Sequence, residues 1–178
     1  MNEKTEKSGL SRRAFLGTSA AAAVGFSILP SNVVAGLGHV APSDKLNIAG
    51  VGVGGMGHAN LKHLTSQNIV ALCDVDWGYC KQNGLFEEFP SVKWYKDWRK
   101  MYDEMGKSID AVVVATADHT HCIAASHAMT LDKHVYVQKP LTHTVYESRL
   151  LTKLADKYKL ATQMGNQGSS GDGVSQTC

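Results

Sequence analysis

Leu46-Asn-Ile-Ala-Gly-Val-Gly-Val-Gly-Gly-Met-Gly57 is the stretch whose reading decides the fold. Leu46–Val51 is a short, continuously apolar run, as expected of a strand buried on both faces. It runs straight into glycines, and Gly55–Leu64 then reads as a helix. Gly52, Gly54 and Gly57 match G-x-G-x-x-G, with Gly55 and Met56 in the same loop. Each glycine has a physical job. The first permits a tight turn, the second lets backbone approach a pyrophosphate, and the third allows close helix–strand contact. N–H groups at the helix start then hold the phosphates, helped by the helix dipole.

Such a motif is weak alone and strong in context. Here a second strand, Asn68–Cys73, ends directly before Asp74, 22 residues beyond Gly52. A carboxylate there can bond both hydroxyls of a ribose and repels a 2′-phosphate, so NAD is favoured over NADP. Asp76 is a nearby competitor for that role, beyond the strand end. The bland alternative is a Gly-rich turn beside a surface aspartate.

The rest of the chain repeats the alternation. A helix is expected at Trp77–Phe86, weakened near its end by Gly84, then a strand at Ser91–Tyr95 and a short helix at Trp98–Met105. Ala111–Ala115 is the clearest strand. Cys122–Leu131 follows as a helix, His134–Val137 as a strand, Val145–Tyr158 as the clearest helix and Leu160–Met164 as a last strand. In Val145–Tyr158, Leu151, Leu154, Ala155 and Tyr158 share one face. About six strands alternating with helices predict an α/β, Rossmann-type, doubly wound parallel sheet.

Ligands of such sheets sit outside the carboxyl ends of the strands. The strand Ala111–Ala115 ends in Thr116-Ala117-Asp118-His119-Thr120-His121. Asp118 or Thr120 can cap the next helix, or the cluster can lie against a cofactor. His119 and His121 lack a third partner at any fixed spacing, so no metal is expected. The next strand ends in Val137-Gln138-Lys139-Pro140. Spacing alone favours reading Lys139 as an ordinary solvated lysine over an acid–base group, since exposed lysines are the rule. Cys73, Cys80, Cys122 and Cys178 show no metal or redox spacing, and Cys73 reads as an inert core residue.

The first 35 residues have a different character. Ser11-Arg12-Arg13-Ala14-Phe15-Leu16 resembles a twin-arginine export signal. An apolar stretch, Ala14–Leu29, precedes Pro30, and Val33-Val34-Ala35 offers cleavage after Ala35. The stretch is too short and too diluted with small polar residues to span a bilayer. Export to the periplasm is therefore expected, with no membrane span after signal removal. The chain holds 18 basic and 16 acidic residues, and without residues 1–35 the two are equal at 14 each. The body thus has no electrostatic footprint for nucleic acid. Residues 36–45 read as a linker and 46–164 as the nucleotide-binding domain.

Taken together, VGVGGMG, ALCDVD, VVVATADHTH, KHVYVQKPLTHTVYESRLL and MGNQG resemble the Gfo/Idh/MocA oxidoreductases, in order across nearly all of 46–173. The resemblance is greatest to the exported bacterial branch. It implies a Rossmann domain followed by an α/β domain on a large, mostly antiparallel sheet. It also implies hydride transfer between NAD(P) and a hydroxyl of a sugar, cyclitol or sugar derivative, and a homo-oligomer for the whole protein. Some members are instead redox-neutral glycosidases that keep NAD bound. By similarity Gly52, Gly54, Gly55, Met56 and Gly57 hold the pyrophosphate and Asp74 the ribose. Thr116, Asp118, His121 and Gln138 line the cofactor crevice. Lys139 matches the lysine of an E-K-P motif that contacts the reacting hydroxyl, and the bond after it is often cis. Asn166 and Gln167 match a segment entering the substrate cleft. Gln138 departs from the motif's Glu, which removes a carboxylate near the cofactor. The family continues where this sequence ends, so 165–178 is expected to be the start of a truncated second domain, leaving a non-catalytic nucleotide-binding fragment as an alternative.

Overall fold

The computed structural model describes residues 44–170 and Gly173. The expected signal at 1–35, nearly all of the linker and most of 171–178 lie outside the described residues. Six strands form, at Asn47–Val51 (β1), Asn68–Cys73 (β2), Lys93–Tyr95 (β3), Ala111–Val114 (β4), His134–Gln138 (β5) and Thr162–Gly165 (β6). Helices lie at Met56–Lys62 (α1), Trp77–Gln82 (α2), Leu85–Glu88 (α3), Trp98–Met105 (α4), His121–Thr130 (α5) and Val145–Tyr158 (α6). All strand pairs are parallel, in the order β3-β2-β1-β4-β5-β6. The chain builds outward from β1 on one side, crosses over after β3 and builds outward from β4 on the other. The crevice at the switch point between β1 and β4 is where such sheets take ligands.

The two faces follow from side-chain alternation. Ala49, Val51, Ala71, Cys73, Val112, Val114, Val135 and Val137 share one core with Met101 and Tyr102 of α4, the alanines of α5 and Leu151 of α6. Leu72 meets Leu61 of α1, Cys80 of α2 and Leu85 of α3 in a second core on the opposite face. The buried residues of β1 and β4 are continuously apolar because both faces are covered at the sheet centre.

Two boundaries differ instructively from expectation. The helix expected at Trp77–Phe86 is two short helices, because Gly84 takes a left-handed φ of 74° and restarts the chain as α3. The strand expected from Ser91 pairs only over Lys93–Tyr95, at the sheet edge, where one neighbour sets its length. At the other end α6 begins with a reciprocal cap, Thr144 accepting from the Glu147 N–H while the Glu147 carboxylate accepts from the Thr144 N–H. That signature fixes where the helix starts and therefore where the Lys139 segment must end.

Candidate functional site

Gly52 leaves β1 at φ 77°, and its N–H donates to the Cys73 carbonyl at 2.9 Å. A Cβ on Gly52 would strike the backbone of Ala115 and Thr116, so the turn is pressed against the end of β4. A Cβ on Gly57 would collide with the Gly52 carbonyl, which sets how closely α1 approaches the turn. At Gly54 a side chain would run into the Tyr79 ring, whereas at Gly55 it would meet open space. Gly55 carries no side-chain cap for α1, so the first-turn N–H groups are not spent on one.

Asp74 closes this corner. Its Oδ2 accepts from the Val53 N–H at 2.8 Å and the Gly54 N–H at 3.0 Å, and its Oδ1 accepts from the Asp76 N–H at 2.9 Å. The carboxylate thus holds the glycine loop in place as well as facing the cleft. Asp76 caps α2 by accepting from the Tyr79 N–H at 2.9 Å, which spends one of its oxygens. Around Asp74 a cleft of about 410 Å³ opens, lined by Gly52, Gly54, Gly55, Thr116, the end of β2 and the start of α4. Tyr79, Lys96 and Trp98 belong to its wall, and sequence reasoning missed all three. No motif marks them; Lys96 reaches the wall just past the edge strand β3, and Trp98 from the first residue of α4. Beneath the cleft, burial pushes the Cys73 thiol up to about 12, with the Asp74 and Asp97 charges adding to it.

Across the switch point the construction changes. Thr116 lines the cleft and its Oγ1 accepts from the Thr120 hydroxyl at 2.7 Å. Neither Asp118 nor Thr120 caps by side chain: the turn Asp118–Thr120 and α5 both begin without a side-chain cap bond. Asp118 and Met56 are exposed and do not line the cleft. His121 is wholly buried, its Nδ1 2.7 Å from the Pro140 carbonyl and its Nε2 3.0 Å from the Thr116 carbonyl. It therefore stands behind the crevice and ties the loop after β4 to the turn after β5. Both partners are acceptors only, so a neutral ring can satisfy one and a protonated ring both. Among the described residues no group of three or more metal-ligating side chains converges.

Lys139 is exposed just past β5, and the Lys139–Pro140 peptide is cis. Gln138 is buried beneath it. Its Oε1 accepts from the Lys139 N–H at 3.2 Å and from Gln167 Nε2 at 3.2 Å, while its own Nε2 has no protein partner. Gln167 Nε2 also reaches Asn60 Oδ1 of α1 at 3.1 Å and the Tyr136 hydroxyl at 3.0 Å. Asn60 and Tyr136 were not singled out from sequence, since a polar residue mid-helix or mid-strand has many uses. Gly165 is required here because a side chain would collide with Gln138. Asn166 is exposed next to this knot, its N–H donating to the Met164 carbonyl at 2.9 Å.

The glycine cradle, the carboxylate at the end of β2 and the open crevice are a fit for a dinucleotide. Residues 46–166 match the family model GFO_IDH_MocA, described as oxidoreductase family, NAD-binding Rossmann fold. The chain belongs to this family. A glycosyl hydrolase family 109 protein of Shewanella pealeana is 28% identical over 170 residues, covering 83% of this chain and 37% of that protein. The scyllo-inositol 2-dehydrogenase (NAD(+)) of Bacillus subtilis is 26% identical over 125 residues, covering 68% of this chain and 35% of that protein. The chain thus spans about a third of the length of these curated relatives. In fold it is similar to myo-inositol 2-dehydrogenase from Lactobacillus plantarum, with a TM-score of 0.64 at 22% identity over 72% of this chain and 38% of that one. The described residues carry the NAD-binding Rossmann fold of this family. Among the described residues no helix is long and apolar enough to cross a membrane.

Proposed function

We propose that this chain is the nucleotide-binding part of an exported NAD-dependent oxidoreductase acting on a hydroxyl of a sugar, cyclitol or sugar derivative. The observation that carries the reading is the convergence of Gly52, Gly54, Gly55, Asp74 and Thr116 on one cleft at the switch point. Gly52 and Gly57 shape the turn, and the N–H groups at the start of α1, which carry no side-chain cap, hold the diphosphate. Asp74 faces the adenosine ribose. Bound NAD supplies the hydride acceptor. Lys139, exposed just past β5, takes the proton from the hydroxyl being oxidised. Gln138 orients the Lys139 backbone, and His121 holds the Pro140 carbonyl and the cofactor loop in register. Asn166 and Gln167 lead into the substrate side. The working protein is a homo-oligomer delivered folded to the periplasm.

Calorimetric titration with NAD tests the cleft, and absence of heat at millimolar nucleotide would reject it. Lys139→Ala, in a chain extended to the length of its relatives, is expected to lower turnover by about 100-fold or more with NAD affinity within twofold. Equal loss of both removes Lys139 from proton transfer. Export is tested by fusing residues 1–45 to a reporter: Arg12→Lys with Arg13→Lys should strand it in the cytoplasm.

A second reading has one specific support, the relative named as a glycosyl hydrolase family 109 protein. In it the sugar would be oxidised transiently, lose its aglycone by elimination, take up water in its place and be reduced again, so that NAD is unchanged over each turnover. NADH accumulating in step with product favours the dehydrogenase, and product without NADH favours the glycosidase.

A further inference from the structure

We propose that Lys96 is a specificity-determining residue that lets the cleft take the 2′-phosphorylated dinucleotide nearly as well as NAD. The proposal rests on the reading of the cleft as a dinucleotide site and goes beyond it by assigning the ribose-end selectivity to a pair of opposite charges.

An unencumbered carboxylate at the end of β2 would grip both ribose hydroxyls and repel a phosphate there. Asp74 is not unencumbered. A carboxylate offers about four lone-pair sites, and three backbone N–H groups already occupy Asp74: those of Val53, Gly54 and Asp76. A bidentate grip on the ribose would cost at least one bond that holds the glycine loop. Asp74 therefore discriminates less by hydrogen bonding than its position suggests.

Its charge is also opposed from the neighbouring strand. Cys73 pairs with Tyr95 in the parallel register of β2 and β3, and the Asp74 N–H donates to the Tyr95 carbonyl at 3.0 Å. Asp74 and Lys96 are thus equivalent positions on adjacent strands, each one residue past its pair, about 5 Å apart along the sheet edge. Among the described residues they are the two charged side chains lining the cleft. Lys96 has no carboxylate within ion-pair distance among the described residues. Its Nζ lies 5.2 Å from the centre of the Trp77 ring. A ring face draws a cation without consuming its directed donors, so the ammonium is placed near the end of β2 with N–H groups to spend. A phosphate on the ribose 2′-oxygen would meet one repelling and one attracting charge at comparable distances, and their Coulomb contributions largely cancel.

The test is a set of titrations of the whole chain with NAD, NADP, 2′-AMP and 5′-AMP. The unmodified chain is expected to bind NADP within about tenfold of NAD, a difference of a single weak charge contact. Lys96→Glu should weaken NADP and 2′-AMP at least about tenfold more than it weakens NAD and 5′-AMP, and Lys96→Arg should retain both. Because Lys96 is exposed, unchanged melting of the variants checks that folding is intact. If NAD binds and the NADP-to-NAD ratio is the same in Lys96→Glu, Lys96 has no such role. If the unmodified chain binds NAD but not NADP at millimolar levels, the charge pair does not work as argued. If neither dinucleotide binds, the reading of the cleft itself falls, and this inference with it.

Discussion

The two halves of the carboxyl edge are built by different means. On the side of β1, β2 and β3 the site is made of backbone: a glycine turn with left-handed φ, N–H groups gathered by Asp74, and an open cleft above. On the side of β4, β5 and β6 it is made of buried polar side chains that reach between loops, His121 to Thr116 and Pro140, and Gln138 to Lys139 and Gln167. The first construction tolerates an open cleft because its geometry is set by short-range sterics. The second depends on groups far apart in sequence, and each buried polar atom in it is costly to leave unpaired. One half is therefore a rigid cradle and the other a linkage that carries the position of one loop to another.

The sharpest way to break this contrast is at His121. His121→Phe keeps ring volume but leaves the Thr116 and Pro140 carbonyls without their partner, and should cost about 2–4 kcal/mol in urea unfolding. A cost below about 0.5 kcal/mol would mean the linkage is not structural. Next comes Gly52→Ala, which forces a side chain into a positive-φ turn against the end of β4. It should cost about 2–3 kcal/mol and abolish nucleotide binding together, because cradle and fold share the same atoms. Asp74→Ser is expected to cost about 1–2 kcal/mol, from the loop N–H groups it releases, and to weaken NAD while narrowing the gap to NADP. Unchanged affinity for both nucleotides would leave Asp74 as a loop fastener only.

A smaller effect probes the cores on the two faces of the sheet. Burial pushes the folded thiols of Cys73 and Cys80 above the ordinary thiol range, up to about 12 and about 11, with nearby aspartates adding to the rise. Burial likewise raises the Tyr102 hydroxyl and, less strongly, Cys122. These acids ionise first in the unfolded chain, so their contribution is intact below about pH 9 and is lost as pH rises toward the folded values. Unfolding midpoints should hold level to about pH 9 and fall beyond it, and Cys73→Ala should flatten the fall. A midpoint independent of pH from 8 to 11 would contradict the burial of these groups.

The same contrast explains what could be read early. Gly52, Gly57 and Asp74 announce themselves because a turn with positive φ and a close helix approach admit few residue types. The doubly wound parallel sheet follows from alternating apolar runs and the handedness of parallel crossovers. Gly84 shows the limit of that reading: it signalled a weak helix end, and only its backbone angle made a new helix of the residues after it. Tyr79, Lys96 and Trp98 were invisible because a wall residue of a cleft needs no particular residue type. Asn60, Tyr136 and Gln167 meet across separations of 31 to 107 residues, a relation no local pattern encodes.

By itself the sequence determined the alternation of strand and helix, the glycine turn and the acidic strand end, since each is imposed by local sterics and side-chain period. Tertiary structure alone decided that His121 is wholly buried between two carbonyls, that Asp74 spends its carboxylate on its own loop and that Lys96 stands beside it. Those outcomes depend on which groups the folded sheet brings within hydrogen-bond reach, and that is a property of three-dimensional neighbours rather than of neighbours along the chain.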